Sequence, residues 1–115
     1  ETMATEKKAM WVIFKMDEML STAEFQERFE AAYHIFRDMP GLFSKTWWIN
    51  QERKEWGALY VFDSEKELQE YANSDLWVNK VPAKWGVKPE VTVLDVGAVL
   101  TKAAVTEAAK SWETA

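Results

Sequence analysis

Cysteine is absent from the 115-residue chain, which excludes disulfides, thiolate metal centres and cysteine nucleophiles and makes a reducing cytoplasm the natural setting. Histidine occurs once, at His34, on a helix face turned away from the apolar stripe; with it out of reach and no Cys, no Ser-His-Asp triad, credible zinc set or obvious haem ligand is expected. We therefore expect no metal and no cofactor. Glycine is scarce too. Gly41, Gly57, Gly86 and Gly97 stand far apart and form neither a phosphate loop nor a dinucleotide fingerprint. No apolar run approaches the roughly 18 residues of a membrane span, and no cleavable signal pattern is visible. Basic residues are outnumbered 14 to 19, giving a net charge of −5 without any basic stripe, so neither a nucleic acid nor a membrane is an expected partner.

What is present is aromatic. Seven Trp, six Phe and three Tyr occur in a chain that is 48% hydrophobic and 29% charged, a composition that folds as one small domain. Such rings either fill a small core or stack on a planar ligand.

Residues 1–9, with Glu1 and Thr2 ahead of Met3, read as a disordered or tag-derived start. Met10–Met16 is a short β-rich run and reads as a strand. Ser21 and Glu24 have capping-box spacing, and Phe25, Phe29, Ala32 and Phe36 follow on one face of a helix expected over 22–38. Pro40 and Gly41 end it. Leu42–Asn50 and Trp56–Phe62 are strand-like, joined by the charged tract 51–55. With the pair symmetric about Arg53, the residues Thr46, Trp48, Asn50, Trp56, Ala58 and Tyr60 share one face. A slip of one residue would move one strand's set to the other side. A second capping box, Ser64 with Glu67, opens a helix near 64–73. Trp77, Val78, Val81 and Trp85 belong to a further segment that Pro82 divides or kinks. Glu90–Leu100 reads as the fourth strand, and 102–115 as a C-terminal helical tail.

The order is β-α-β-β-α-β, a ferredoxin-like α+β subunit over 10–101. Apolar residues occupy both alternating sets of the first and last strands, so both sheet faces are expected to be dry. Helices cover one; a second copy, making a dimeric α+β barrel, is the simplest cover for the other.

His34 falls away from the Phe stripe and reads as a solvated surface residue. Asp95 interrupts an apolar strand, as either an edge side chain or a paired buried carboxylate. What remains for function is the cluster Trp47, Trp48, Asn50, Trp56, Tyr60, Tyr71, Trp77 and Trp85: rings with a few hydrogen-bonding tips, as small-molecule pockets have. Asn50 and Tyr60 are the candidate catalytic groups. Trp48, Trp56, Tyr71, Trp77 and Trp85 are the candidate substrate-binding groups, in a pocket roofed by 71–85.

Pro40-Gly41-Leu42, Lys45, Trp47, Gly57, Tyr60, Phe62, Glu65-Lys66, Gly86-Val87 and Val93 with Asp95-Val96 together resemble the YdhR-like monooxygenases of the dimeric α+β barrel superfamily. The resemblance runs from about Met10 to Leu100 and departs over Ala72–Trp85. It implies paired subunits, a pocket between sheet and helices, and an oxygenase using neither metal nor flavin on a small hydrophobic aromatic or polyketide-type substrate. Related barrels act as cyclases, isomerases, lyases or haem degraders, and a non-catalytic small-molecule-binding dimer is a further reading.

Overall fold

The computed structural model describes residues 6–102. Its strands are β1 (Lys8–Lys15), β2 (Leu42–Asn50), β3 (Glu55–Phe62) and β4 (Glu90–Asp95). They form one antiparallel sheet in the order β2-β3-β1-β4. The helices are α1 (Thr22–Ala31), α2 (Tyr33–Arg37), α3 (Glu65–Ala72) and α4 (Val81–Trp85), with a π-helical turn at Leu76–Lys80 before α4. This is the expected α+β ferredoxin-like subunit. The tail expected over 102–115 lies outside the described residues from 103 onward.

Strand periodicity explains the core. Met10, Val12 and Phe14 of β1 and Trp56, Ala58, Tyr60 and Phe62 of β3 alternate onto one face and are buried. Phe25 and Phe29 of α1, Phe36 of α2, and Leu68 and Tyr71 of α3 close over them. Phe14 and Trp56 lie face to face, with ring centroids 4.1 Å apart and planes 2° from parallel. The other face carries Trp11, Ile13, Trp48 and Leu59, all half-buried, with Trp11 stacked on Trp48 at 5.2 Å.

Several local expectations are corrected. The helix expected over 22–38 breaks at Ala32, whose N–H is shared between the Glu30 and Phe29 carbonyls. No breaker marks this position; the break seats Phe36 against Trp47, Tyr60 and Tyr71, so packing overrides local propensity. The Ser21–Glu24 capping box forms in full. At the next helix Ser64 instead meets the Glu67 carboxylate side chain to side chain, and no reciprocal box forms. Pro82 is accommodated in the first turn of α4 because the preceding π-turn, closed by Val81 N–H donating to Leu76 C=O, re-aims the chain there. Strand β4 stops at Asp95 rather than Leu100. Asp95 is an edge residue, paired with Lys8 across the ladder.

The most consequential correction is the hairpin register. Asn50 pairs with Glu55, and the loop is four residues, 51–54. Asn50 Oδ1 accepts the Arg53 N–H at 3.1 Å, and Lys54 takes left-handed backbone at φ 55°. The centre of symmetry therefore falls between Glu52 and Arg53. Trp47 faces Ala58, Lys45 faces Tyr60 and Ile49 faces Trp56, while Trp48 lies opposite Gly57 on the other side of the sheet. Thr46, Trp48 and Asn50 thus share no face with Trp56, Ala58 and Tyr60.

Gly57 is required by close approach. A Cβ there would stand 1.8 Å from the Val12 carbonyl oxygen and 2.6 Å from Trp48 Cζ2. Gly57→Ala is expected to lower stability by at least about 1–3 kcal/mol, the usual range for overpacking. Thermal or denaturant unfolding measures it, and an unchanged midpoint would contradict this packing.

Candidate functional site

The register that moves Trp48 away brings Lys45 and Trp47 inward. Between the sheet and α1, α2, the π-turn and α4 lies a cavity of about 260 Å³. Phe14, Phe29, Phe36, Trp47, Trp56, Tyr60 and Trp85 supply its rings, and Ala32, Ile35, Leu76 and Val81 its aliphatic wall. Trp85 is held over Trp56 at 4.3 Å, its position set by the end of α4, where Gly86 adopts φ 74° and donates to Pro82 C=O at 2.8 Å.

Lys45 gives the chamber its chemistry. Its Nζ sits 3.4 Å from the Phe36 ring centroid and 4.3 Å from those of Trp47 and Tyr60. Burial pushes the ammonium down to about 6, because few water molecules solvate its charge. The three ring faces attract a cation and offset part of that penalty.

The tyrosines behave oppositely. Burial raises Tyr60 well above the ordinary phenol value, reinforced by its neighbour Tyr71, and pushes Tyr71 up to about 12. Both stay protonated at neutral pH. Their hydroxyls are 3.1 Å apart. Two protons share one contact, so when Tyr71 donates to Tyr60, the Tyr60 proton is left for another acceptor. Trp56 Nε1 is buried without a hydrogen-bond partner among the described residues, although its ring lines the cavity.

Of the residues expected at a site, Trp56, Tyr60 and Trp85 line the cavity. Tyr71 and Trp77 stand one layer behind, touching Tyr60 at 5.2 and 6.0 Å between centroids. Trp48 and Asn50 lie on the opposite face, and the Asn50 amide oxygen is engaged by the turn. Lys45 is marked in the sequence by the family resemblance but not as a site residue, because a hairpin symmetric about Arg53 points it away from Trp56 and Tyr60. His34 is exposed on α2. Among the described residues, no group of three or more His, Asp or Glu side chains could hold a metal ion.

An antiparallel sheet roofed on one face by helices, with a ring-lined interior between the layers, defines a small ferredoxin-like α+β domain able to enclose a small molecule. Residues 10–108 match the family described as "Putative mono-oxygenase ydhR", and the chain belongs to it. A monooxygenase-like function in general follows from that membership. Curated protein sequences contain no match.

Solved structures share the fold at low identity. A Nitrosomonas europaea protein of unknown function aligns over 85% of this chain and 96% of its own, at 13% identity and a TM-score of 0.65. SnoaB, a cofactor-independent oxygenase from Streptomyces nogalater, aligns over 84% of this chain and 99% of its own, at 13% identity and a TM-score of 0.61. A haem-degrading protein from Mycobacterium tuberculosis aligns over 83% and 96%, at 11% identity and a TM-score of 0.58.

A buried lysine leaves a signature in stability. In the unfolded chain Lys45 titrates near 10.5, in the folded chain near 6. Between these values the unfolded state binds more protons, so stability rises with pH, and the cost of holding Lys45 is fully present below about pH 6. Lys45→Met is expected to be more thermostable than the parent, with a difference widest near pH 6 that shrinks toward pH 10. A pH-independent difference in melting temperature would contradict the burial of the ammonium.

Proposed function

We propose that the chain is a cofactor-independent monooxygenase acting on a small enolisable or phenolic aromatic molecule held in the Trp-rich chamber. The observation that carries this reading is Lys45 Nζ in its cage of Phe36, Trp47 and Tyr60. An amine whose pKa lies just below neutrality is a competent base at neutral pH, and a water-poor setting strengthens each charge interaction it makes.

In this reading neutral Lys45 removes the proton from an activated C–H or phenolic O–H of the substrate. The resulting ammonium pairs with the substrate anion and is steadied by the ring faces. The Tyr60 hydroxyl serves as donor to the developing oxyanion, with Tyr71 behind Tyr60 as its hydrogen-bond partner. Trp56 and Trp85 stack on the substrate ring, and Trp77 backs the tyrosine pair. The substrate anion transfers one electron to O₂, and the radical and superoxide combine into a C–O bond. The peroxide takes back the proton held by Lys45 and loses water together with the hydrogen left on its carbon, leaving a carbonyl where a CH₂ of an enolisable substrate, or a ring C–H of a phenol, stood. Asn50, bound into the hairpin turn, is not assigned a part in this step.

The cavity's size narrows the substrate class. About 260 Å³ falls below the roughly 300–1,000 Å³ of drug-sized pockets, which favours one or two fused rings over an extended polyketide or a tetrapyrrole. Cyclisation or isomerisation in the same chamber would begin with the same proton abstraction but consume no O₂.

An oxygen electrode separates these outcomes. With an enolisable bicyclic substrate, O₂ uptake should match turnover, and kcat/KM should rise as the pH passes about 6, where Lys45 becomes neutral. Lys45→Met should lower kcat by about a hundredfold or more, as loss of a general base does, while the protein remains folded. Turnover without O₂ uptake would reassign the chamber to isomerisation or cyclisation.

We also propose that a second copy covers the sheet face carrying Trp11, Ile13, Trp48 and Leu59. Trp48 Nε1 on that face is buried without a partner among the described residues, and Leu94 of β4, paired with Ala9 on the same face, is exposed. Sedimentation should give about twice the 13.4 kDa chain mass, and a monomer at micromolar concentration would contradict the paired arrangement.

A further inference from the structure

Acidic residues outnumber basic ones in this chain by nineteen to fourteen, yet every charged side chain lining the chamber is a cation. These are the half-buried Lys45 and Arg28, Lys80 and Lys84, which are exposed. The three exposed cations come from two separate pieces of chain, α1 and the π-turn running into α4. Lys80 and Lys84 are four residues apart, the spacing that places side chains on one helical face. The Arg28 guanidinium lies over the Trp85 ring, 5.4 Å from its centroid, and Trp85 in turn lies against Trp56. The planar fork is thereby held beside rings that line the chamber. Lys80 is engaged by Asp75 at 3.8 Å, but Lys84 makes no ion pair among the described residues.

The cations occupy two ends. Lys45 sits beside Tyr60, whereas Arg28 lies over Trp85, which sits beside Trp56, four residues and hence about 13 Å away from Tyr60 along β3. Resting on the functional reading above, the geometry points to an organic acid as the ligand: an elongated mono- or bicyclic molecule with a carboxylate at one end and its reacting phenol or enol at the other. Arg28 and Lys84 receive the carboxylate at the rim, where a guanidinium offers two parallel donors to two oxygens. The ring lies against the wall that Trp56, Trp85 and Phe29 form together, and the opposite end reaches Lys45 and Tyr60. The absence of acids from the lining rejects cationic ligands, while a neutral ring compound would leave the rim cations unused.

Calorimetric titration with two probes tests this without requiring turnover. One is a hydroxynaphthoate bearing its hydroxyl and carboxylate on opposite rings; the other is its methyl ester, of nearly the same shape but neutral at the rim end. The parent protein should bind the acid at least about tenfold more tightly than the ester, a preference that shrinks as salt rises from about 0.05 to about 0.5 M. In the double variant Arg28→Gln/Lys84→Gln, both positions being exposed, the two affinities should converge through loss of acid binding, with ester binding unchanged. Equal binding of both probes by the parent, or a preference that survives in the double variant, overturns the acid assignment while leaving the chamber reading intact. Failure of both probes to bind overturns the two together.

Discussion

The parity of the β2–β3 hairpin governs the interior of this protein. Asn50 accepts the Arg53 amide, Lys54 turns left-handed, and the four-residue loop they close pairs Asn50 with Glu55. Side chains alternate with period two, so this one pairing decides the face of the β2 residues from Ser44 to Asn50, up to the irregularity between Leu42 and Ser44. Lys45, Trp47 and Ile49 go under the helices; Thr46, Trp48 and Asn50 go to the other side. The hairpin tip is tied down as well, since Gln51 Nε2 donates to Leu20 C=O at 2.8 Å just before α1. The turn, the start of α1 and the chamber wall are thus fixed by one small group of hydrogen bonds. Gly57 completes the constraint, because the Trp48 ring needs the space where a Cβ would stand.

The helical layer answers the same geometry. Trp56 is touched by Phe14, Phe25, Phe29 and Trp85, so a single strand residue links β1, α1 and α4. Contacts of this kind contribute about 0.5–1.5 kcal/mol each beyond the area they bury. They hold rigid a wall that otherwise has few polar anchors. Lys45 opposes that economy. An ammonium pushed down to about 6 by burial lowers stability at neutral pH, and the aromatic cage recovers only part of the cost. A methionine of similar length would fill the same space without the penalty. The Tyr60–Tyr71 pair adds a second polar group to a dry interior, satisfied pairwise with a proton to spare. Polar groups that work against the core, converging on one cavity, are how functional sites differ from packing.

Most of the architecture was legible because it rests on local signals. Leu42–Asn50 is a strand with the expected ends, Ser21 and Glu24 make the expected box, and Pro82 divides its segment as expected. The site was legible by composition and not by geometry. Trp56, Tyr60 and Trp85 line one cavity, whereas Trp48 and Asn50, which a five-residue turn would join to them, lie on the other face of the sheet. Nothing in Gln51-Glu52-Arg53-Lys54-Glu55 announces that Lys54 adopts positive φ, since lysine has no special tolerance for it. That half-step hid Lys45, which carries the proposed chemistry. The break at Ala32 was equally silent, because it answers the seating of Phe36 rather than any helix-breaking residue.

The two faces of the sheet make unequal demands on its edge. On the helix side, Val91 and Val93 of β4 pair with Val12 and Met10, yet they remain about half exposed, at 43% and 49%, while their partners are buried. The helices therefore roof β1 and β3 but stop short of β4. On the opposite side, Leu94 lies beside Ala9 and Thr92 beside Trp11, continuing the apolar field of Ile13, Leu59 and Trp48 to the sheet edge. An edge strand bare on both faces, with charges at Glu90 and Asp95 tied back to Lys15 and Lys8, is guarded at its ends and open along its middle. Whatever covers β4 also presses on β1, and Phe14 of β1 is stacked directly on Trp56. The outer face, through Trp11 and Ile13, and the chamber wall, through Phe14, consequently share one strand.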